Sequence, residues 1–197
     1  MCGIAAIIER DPTRLAPEGD LQAMVDALVH RGPDDEGRRH LPGAALGMRR
    51  LAIVDVATGQ QPISNETGDV HIVANGEIYN FLELRQELEA KGHRFRTRSS
   101  DIESLLHAYE EWGEGFLTRA RGMFAVVIWD ARTKTLLAAR DRAGEKPLYY
   151  TLTGRGPGHA PAGHRRRGDR TTTDRQRDGR RAHRRQRRDL QLPPAAS

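Results

Sequence analysis

The chain contains one cysteine and no long apolar segment. A single thiol cannot form an intrachain disulfide, and it cannot supply a zinc site built from several cysteines. No apolar run approaches the ~18–20 residues that are needed to cross a bilayer. The short apolar run at residues 3–8 follows no basic segment, so we expect no signal peptide. These absences favour a protein of the reducing cytosol that has no membrane partner.

Motifs for nucleotides and metals are also missing. Neither the phosphate loop G-x-x-x-x-G-K-[ST] nor the dinucleotide pattern G-x-G-x-x-G occurs. His30, Asp34, Asp35 and His40 surround a Gly-Pro loop, and their spacing matches no set of metal ligands. We therefore expect no metal site and no cofactor in this chain.

The end of the chain has no lysine, no glutamate and no aromatic residue. Residues 154–197 hold 13 Arg and 4 Asp, a net charge of +9, so the whole-chain charge of +5 leaves −4 for residues 1–153. Only seven of these 44 residues are apolar, too few to offset the entropy lost on ordering. The composition predicts a folded domain at residues 1–153 and a disordered Arg-rich segment at 154–197.

This Arg-rich segment has two interpretations. It is a basic arm for nucleic-acid or membrane phosphates, or it is a frame-shifted reading of GC-rich coding sequence. The count of 13 Arg to no Lys favours the frameshift. Aromatic residues, which would support single-strand binding, are absent from the segment. The composition therefore argues against a nucleic-acid partner without settling the origin of the segment.

Within residues 1–153, short apolar strands and amphipathic helices are mixed in blocks rather than in strict alternation, which is typical of a layered α+β fold. The run 124–129 is apolar on both faces, so we expect it to be covered on both sides. Asn80 with Glu83, and Ser100 with Glu103, resemble capping boxes that open helices. The predicted strands are residues 3–8, 44–55, 70–75, 123–129, 135–139 and 148–152, and the predicted helices follow Asp20, Asn80 and Ser100.

Cys2 is either a small buried hydrophobe at the start of a strand or a nucleophile. The second interpretation requires removal of Met1, which the small side chain at position 2 permits. Cys2 would then carry a thiol with a reference pKa of about 8.5 beside an α-amine with a reference pKa of about 7.7–8.0. The amine can accept the thiol proton without any histidine.

Five further residues offer chemistry that residue type alone leaves open. Asn75-Gly76 is a strong hairpin-turn signal, but an amide side chain beside a backbone N–H is also what an oxyanion hole needs. Taken singly, Arg50, Glu77 and Asp101 are most simply surface charges, or, for Asp101, a carboxylate that favours a helix N-terminus.

Six sequence blocks in order, together with the Met1-Cys2-Gly3-Ile4 start, resemble the class II (N-terminal-nucleophile) glutamine amidotransferases, in the branch of the glutamine-hydrolysing asparagine synthetases. The resemblance runs from residue 1 to about residue 152. The blocks are His30-Arg31-Gly32-Pro33-Asp34, residues 50–55 (RLAIVD), 75–80 (NGEIYN), 100–103 (SDIE), 121–125 (RGMFA) and 140–150 (RDRAGEKPLYY).

The resemblance implies a four-layer αββα sandwich of antiparallel sheets, incomplete at its C-terminal end, with Cys2 at the end of a central strand. It also implies the site residues. Cys2 attacks the side-chain amide of L-glutamine, and Asn75 with the N–H of Gly76 holds the oxyanion. The substrate α-carboxylate pairs with Arg50, and its α-ammonium is bound by Glu77 and Asp101. The backbone of Ile53 and Val54 completes the pocket.

The chain departs from the family after residue 152, where further glutaminase elements and a synthetase domain with a Ser-Gly-Gly-x-Asp-Ser loop are expected; no such loop occurs. A smaller departure is Ala143, where the family usually has an aromatic residue. The resemblance implies ammonia supply to an ATP- and Mg-dependent amidation of aspartate on a domain absent here. The alternatives are another acceptor, such as a sugar or a cell-envelope polymer, and an inactive truncated product with a basic nucleic-acid-binding segment. A homodimer also stays open.

Overall fold

The structure, a computed structural model, describes residues 2–51, 60–97 and 99–152. The chain divides into two units, Met1–Leu148 and Tyr149–Ser197, and the architecture below belongs to the first. Residues 153–197 lie outside the described ranges, so the predicted division into a domain at 1–153 and a segment at 154–197 stays a prediction.

Within the described ranges, seven strands form two antiparallel sheets. The first sheet has the order β1-β3-β2, and the second has the order β4-β5-β6-β7. In the first sheet β1 begins opposite Arg49 of β3. In the second, β5 and β6 pair over their full nine residues. The strands are β1 (Gly3–Ile8), β2 (Asp35–Leu41), β3 (Ala44–Arg50), β4 (Ile63–Ser64), β5 (Val70–Ile78), β6 (Gly122–Asp130) and β7 (Thr135–Arg140).

Four α-helices cover the outer faces of the sheets. They are α1 (Glu18–Asp26), α2 (Phe81–Ala90), α3 (Asp101–Trp112) and α4 (Phe116–Arg119), with 3₁₀ turns at Val29–Arg31 and Gly113–Gly115. Of the helices in the described ranges, even the longest, α3 with 12 residues, falls short of what a bilayer span requires.

The apolar core consists of three clusters of buried residues, and each cluster lies between two successive layers of helices and sheets. Leu21 and Val25 of α1 pack on the outer face of the first sheet. The two sheets meet through Leu46 and Met48 on one side and Val73, Val127 and Trp129 on the other. The second sheet is covered by α2, α3 and α4 through a cluster that includes Leu88, Leu105, Phe116, Val126 and Ile128. The predicted α+β, four-layer αββα sandwich of antiparallel sheets is therefore confirmed.

β6 is buried on both faces, as its unbroken apolar sequence predicts. Phe124, Val126 and Ile128 face the helices, whereas Val127 and Trp129 face the first sheet. Burying both faces places this strand at the centre of the molecule, and its partner β5 shares that position.

Several predictions about single elements were wrong. Residues 148–152 form no strand. β2 was missed because its polar sequence, DEGRRHL, lies on a half-exposed edge strand where burial imposes no apolar pattern. The strand predicted at 44–55 ends at Arg50 in the described structure, and residues 52–59 lie outside it. Among the described residues β1 pairs only with β3, so Cys2 precedes an edge strand rather than the central strand that the resemblance implied.

The two predicted capping boxes differ in outcome. The Ser100 hydroxyl accepts a hydrogen bond from the N–H of Glu103, which is the expected cap of α3. Asn80 occupies the N-cap position of α2 but caps nothing with its side chain. Its amide instead donates to the carbonyl of Arg119 and accepts from the N–H of Arg121, which ties α2 to the start of β6. α1 begins two residues before the predicted cap Asp20, after Pro17.

Asp141 anchors the segment that follows β7. Its buried carboxylate accepts hydrogen bonds from the backbone N–H groups of Phe124, Glu145 and Lys146 at 3.0–3.1 Å. Burial alone would raise the pKa of Asp141, but these backbone hydrogen bonds outweigh it and lower the pKa below its usual value. Residues 141–146 are therefore held by one carboxylate in its charged form.

A second network of charged groups ties the chain before α3 to that helix. Glu103 accepts hydrogen bonds from the backbone of Arg96 and Thr97. Burial opposes ionisation, yet these contacts and the neighbouring His107 lower the pKa of Glu103 to about 2. His107 is also buried, and hydrogen bonds to Glu103 and Glu110 overcome that burial and raise its pKa to about 9.

Candidate functional site

The outer edge of β5 presents alternate backbone groups away from β6. The N–H of Tyr79 donates to the carbonyl of Arg121, so the odd-numbered residues of this strand bond to β6. The N–H groups of the even-numbered residues therefore point the other way. The Gln61 side chain holds the N–H of Ala74 at 2.6 Å, and the Asp101 carboxylate holds that of Ile78 at 2.8 Å.

Gly76 lies between these two anchored positions, so its N–H points to the same outer side. Of the two interpretations of Asn75-Gly76, the hairpin turn is excluded, since both residues continue β5 and pair with Ala125 and Phe124. A Cβ atom at position 76 would lie 2.1 Å from the carbonyl oxygen of Met123. Glycine is needed here because β6 approaches too closely for any side chain.

Asn75 presents its side chain to the space between the sheets, whereas Glu77, two residues further along the same strand, is exposed. Side chains alternate along a strand, and Val73, two residues before Asn75, belongs to the cluster between the sheets. Asn75 is 7% exposed, so its amide is nearly enclosed in this layer. The oxyanion-type pair of an amide side chain and a backbone N–H therefore occurs at adjacent positions on one strand.

Asp101 stands at the first position of α3, where it meets the end of β5. Burial of its carboxyl raises the pKa of Asp101, and the nearby charge of Glu77 raises it further. The backbone N–H groups of Ile78, Ile102 and Asp101 itself oppose this by lowering it. The two neighbouring carboxyl groups of Asp101 and Glu77 form a place where a bound cation is stabilising.

Cys2 precedes β1 and is half-buried at the layer between the sheets. It packs against the cluster that contains Val73 and Met48. The thiol donates a weak hydrogen bond to the carbonyl of Leu51 at 4.0 Å. The guanidinium of Arg31 donates to the carbonyl of Cys2 at 3.3 Å. The nucleophile candidate therefore lies in the same layer as the Asn75 side chain, and its backbone is held from the other side by Arg31.

Arg50 ends β3 next to this cysteine. Gly3 pairs with Arg49, so Cys2 and Arg50 stand one step beyond the last pair of the two strands. Arg50 is 9% exposed, and its carbonyl accepts the N–H of Asp34. A buried guanidinium beside the thiol can bind a carboxylate with two parallel hydrogen bonds.

The predicted site residues fall into two groups: Cys2 and Asn75 belong to the layer between the sheets, whereas Asp101 begins α3 on the outer face of the second sheet. Cys2 and Arg50 lie at one end of the first sheet, and Asn75, Gly76 and Glu77 lie at the end of β5, with Asp101 beside them. Ile53 and Val54 lie outside the described residues.

Two residues of the site were missed. Arg31 contacts Cys2, and its place in the block at 30–34 was a signal. Gln61 is 8% exposed and holds both the N–H and the carbonyl of Ala74. No sequence pattern marked it, because its partner is the backbone of a distant strand. The site as a whole combines one thiol, one cation, two carboxylates and an amide pair, which suits a zwitterionic amide substrate.

Comparison with known proteins identifies the family of this chain. A family model described as glutamine amidotransferase domain matches residues 1–160. The chain belongs to the glutamine amidotransferase domain family.

Within that family the chain is similar to asparagine synthetases. It is 45% identical over 155 residues to asparagine synthetase (glutamine-hydrolyzing) 1 of Bacillus subtilis (strain 168), an alignment that covers 77% of this chain and 24% of that protein. It is 44% identical over 149 residues to asparagine synthetase (glutamine-hydrolyzing) 2 of Oryza sativa subsp. japonica, covering 76% and 25%. The chain thus spans about a quarter of the length of these relatives.

A solved structure of glutamine phosphoribosylpyrophosphate amidotransferase from B. subtilis, complexed with ADP and GMP, is also similar. It shares 28% identity with a TM-score of 0.47, over 58% of this chain and 27% of that one.

Proposed function

We propose that this chain is the glutamine-hydrolysing part of an asparagine synthetase, which releases ammonia from L-glutamine. The observation that carries the proposal is the pair at Asn75-Gly76, where a buried amide side chain and an outward-pointing N–H adjoin the ammonium site at Asp101. The similarity of the chain to glutamine-hydrolyzing asparagine synthetases supports the same substrate.

The proposed reaction begins at Cys2 after removal of Met1. The free α-amine accepts the thiol proton, and the thiolate attacks the side-chain carbonyl carbon of glutamine. Asn75 and the N–H of Gly76 hold the oxyanion of the tetrahedral intermediate. The C–N bond then breaks, the α-ammonium returns a proton to the leaving amide nitrogen, and ammonia leaves. The γ-glutamyl thioester that remains is hydrolysed by water to glutamate, which regenerates the thiol.

The remaining residues bind the substrate's ends. Arg50 pairs with the α-carboxylate, and Glu77 with Asp101 binds the α-ammonium. The backbone of Ile53 and Val54 would complete the pocket. Arg31 positions the Cys2 backbone through its carbonyl rather than contacting the reacting atoms. No cofactor is required by any of these steps.

The acceptor of the ammonia is proposed from the similarity alone. In that proposal a synthetase domain or subunit, with ATP and Mg, amidates aspartate in the reducing cytosol. The residues that bind glutamine would be the same for a sugar or cell-envelope acceptor, so that alternative stays open. An inactive chain whose basic residues 154–197 bind nucleic acid also stays open, and a homodimer remains a further candidate arrangement.

The test is ammonia release from glutamine by the full chain and by its Cys2→Ala variant. We expect turnover by the parent, no detectable release by Cys2→Ala, and unchanged thermal unfolding. Blocking the α-amine of Cys2 by acylation should lower the rate almost as far, because the base is lost. Equal rates in parent and variant would contradict the proposal. A nucleic-acid shift assay on the same preparation separates the inactive basic alternative, which predicts binding without ammonia release.

A further inference from the structure

A cluster of imidazole and carboxylate groups lies on α3, away from its first residue, Asp101. His107, Glu110 and Glu111 are spaced i, i+3 and i+4, which places them on one side of the helix. His93 joins them from the connection between α2 and α3. One ligand atom each from His93, His107 and Glu110 lies within 4.8 Å of the others.

The individual distances are close to those between the ligands of a metal ion. Nδ1 of His107 lies 3.0 Å from a carboxylate oxygen of Glu110, and Nε2 of His93 lies 3.2 Å from one of Glu111. Zinc binds nitrogen and oxygen at about 2.0–2.1 Å, so adjacent ligands of a tetrahedral zinc are about 3.3 Å apart. Small side-chain rotations would therefore bring His93, His107 and Glu110 around one ion, and Glu111 lies beside His93 as a fourth ligand.

The second carboxylate oxygens of Glu110 and Glu111 and the second ring nitrogen of His107 already lie close to other polar side chains. Asn65 donates to the second oxygen of Glu110 at 2.6 Å, and the ammonium of Lys91 lies 2.9 Å from the second oxygen of Glu111. A carboxylate oxygen of Glu103 lies 3.9 Å from Nε2 of His107. Metal-binding histidines commonly have a carboxylate at the nitrogen that does not touch the metal, because it fixes the ring.

The cluster is buried at His107 and more exposed at His93 and Glu111. The His107 side chain is 2% exposed and that of Glu110 is 12% exposed, whereas those of His93 and Glu111 are 17% and 28% exposed. An ion can thus enter from the His93 side and reach a buried imidazole.

We propose that His93, His107, Glu110 and Glu111 bind a divalent transition metal of the zinc type. Two imidazoles with two carboxylates suit Zn²⁺ better than Mg²⁺ or Ca²⁺, which prefer oxygen ligands alone. The ion would fasten the connection at residues 91–97 to α3. Its role is structural and independent of glutamine hydrolysis, since none of the four side chains belongs to the glutamine site.

The test is zinc titration by calorimetry in a Cys2→Ser background, because the thiol and amine of Cys2 would bind zinc themselves. Protons compete with zinc for imidazole, so the titration follows removal of bound metal by chelator and is repeated from about pH 7 to about pH 9. We expect one equivalent of Zn²⁺ and a rise in the midpoint of thermal unfolding on its addition.

Two variants and two matched controls locate the ion. His93→Ala and Glu111→Gln should each weaken zinc binding at least about tenfold, and up to about 100-fold, and should lose the thermal shift. Glu114→Gln, an exposed carboxylate just after α3, and His159→Ala, outside the described residues, should change neither. All four are checked by circular dichroism.

Absence of a zinc equivalent in the Cys2→Ser protein would overturn the proposal. So would zinc binding that His93→Ala and Glu111→Gln leave unchanged. In the otherwise unmodified chain, His93→Ala should leave ammonia release at its parent rate, so failure of the glutamine proposal and failure of this one are separate results.

Discussion

The carboxylate of Asp101 accepts the backbone N–H of Ile78 at 2.8 Å, which joins the first turn of α3 to the last residue of β5. This contact sets the position of the proposed ammonium site relative to Gly76. It also places a half-buried carboxyl beside Glu77, and burial together with the charge of Glu77 raises the pKa of Asp101.

Asp101→Asn is therefore expected to weaken glutamine binding while it stabilises the free protein. The asparagine oxygen still accepts the Ile78 N–H, but the charge that binds ammonium is lost, and KM for glutamine should rise about 10–100-fold. The thermal midpoint without glutamine should rise, because a raised acid pKa means that ionisation costs stability as the pH rises through that pKa. Steady-state kinetics and thermal unfolding measure both effects, and an unchanged KM would exclude Asp101 from the ammonium site.

The same residue predicts a pH dependence. As the pH falls, Asp101 should gain its proton at a higher pH than an ordinary aspartate, and the neutral form binds ammonium poorly. KM for glutamine should therefore begin to rise on the acid side before the usual aspartate range is reached. The Asp101→Asn variant should lack this rise; a parent-like acid limb in the variant would assign it to another group.

Asn75→Ala removes the proposed oxyanion donor from the side chain. We expect kcat to fall about 10²–10³-fold, as it does when one such donor is lost elsewhere, with little change in KM. A thermal melt is the control, because Asn75 is buried and its loss also leaves a small cavity. A folded variant with parent kcat would show that the amide plays no part in the reaction.

Gly76→Ala tests the close approach of β5 and β6. The new methyl group would lie 2.1 Å from the Met123 carbonyl, so the strands must separate, at a cost of about 1–3 kcal/mol in the free energy of unfolding. Gly19→Ala is the matched control. Gly19 lies in α1 with nothing within 4 Å of an added Cβ, so alanine there should stabilise by about 0.5–1 kcal/mol. Denaturant unfolding compares the two, and equal effects would refute the argument from strand spacing.

Asp141→Asn tests the carboxylate that holds residues 141–146. Replacing a charged acceptor of three backbone N–H groups should cost about 1–3 kcal/mol at neutral pH. Because the pKa of Asp141 is lowered in the fold, its contribution is present above the pKa of an unfolded aspartate, about 3.9, and is lost as the pH falls below that value. The stability difference between parent and variant, measured by urea unfolding, should shrink toward pH 3, a pH chosen as roughly one unit below that reference. A difference independent of pH would contradict this origin.

The sequence predicted those features that depend on local pattern or on the family blocks. The apolar run of β6, the Ser100 cap and the layered α+β class are confirmed. The hairpin turn, one of the two interpretations of Asn75-Gly76, does not form because pairing of β5 with β6 overrides the local preference of the two residues. β2 was missed since an edge strand with exposed faces needs no apolar alternation.

In the candidate site, too, the sequence predicted some features and missed others. Its residue types followed from the blocks at 50–55, 75–80 and 100–103. The alternating direction of the β5 N–H groups and the hold of Gln61 on Ala74 could not be predicted, because they depend on which residues of β6 are opposite. Their roles in glutamine hydrolysis stay predictions for the variants above.

Binding of a ligand at the outer edge of β5 would change the hydrogen–deuterium exchange of its amide protons. The N–H groups of Ala74 and Ile78 are held by protein side chains, so their hydrogen–deuterium exchange requires a local opening of the fold. In the proposed function the N–H of Gly76, between them, contacts the substrate, so a bound ligand should slow its exchange. The exchange of the two outer amides then reports the rigidity of β5, and that of the middle amide reports the ligand.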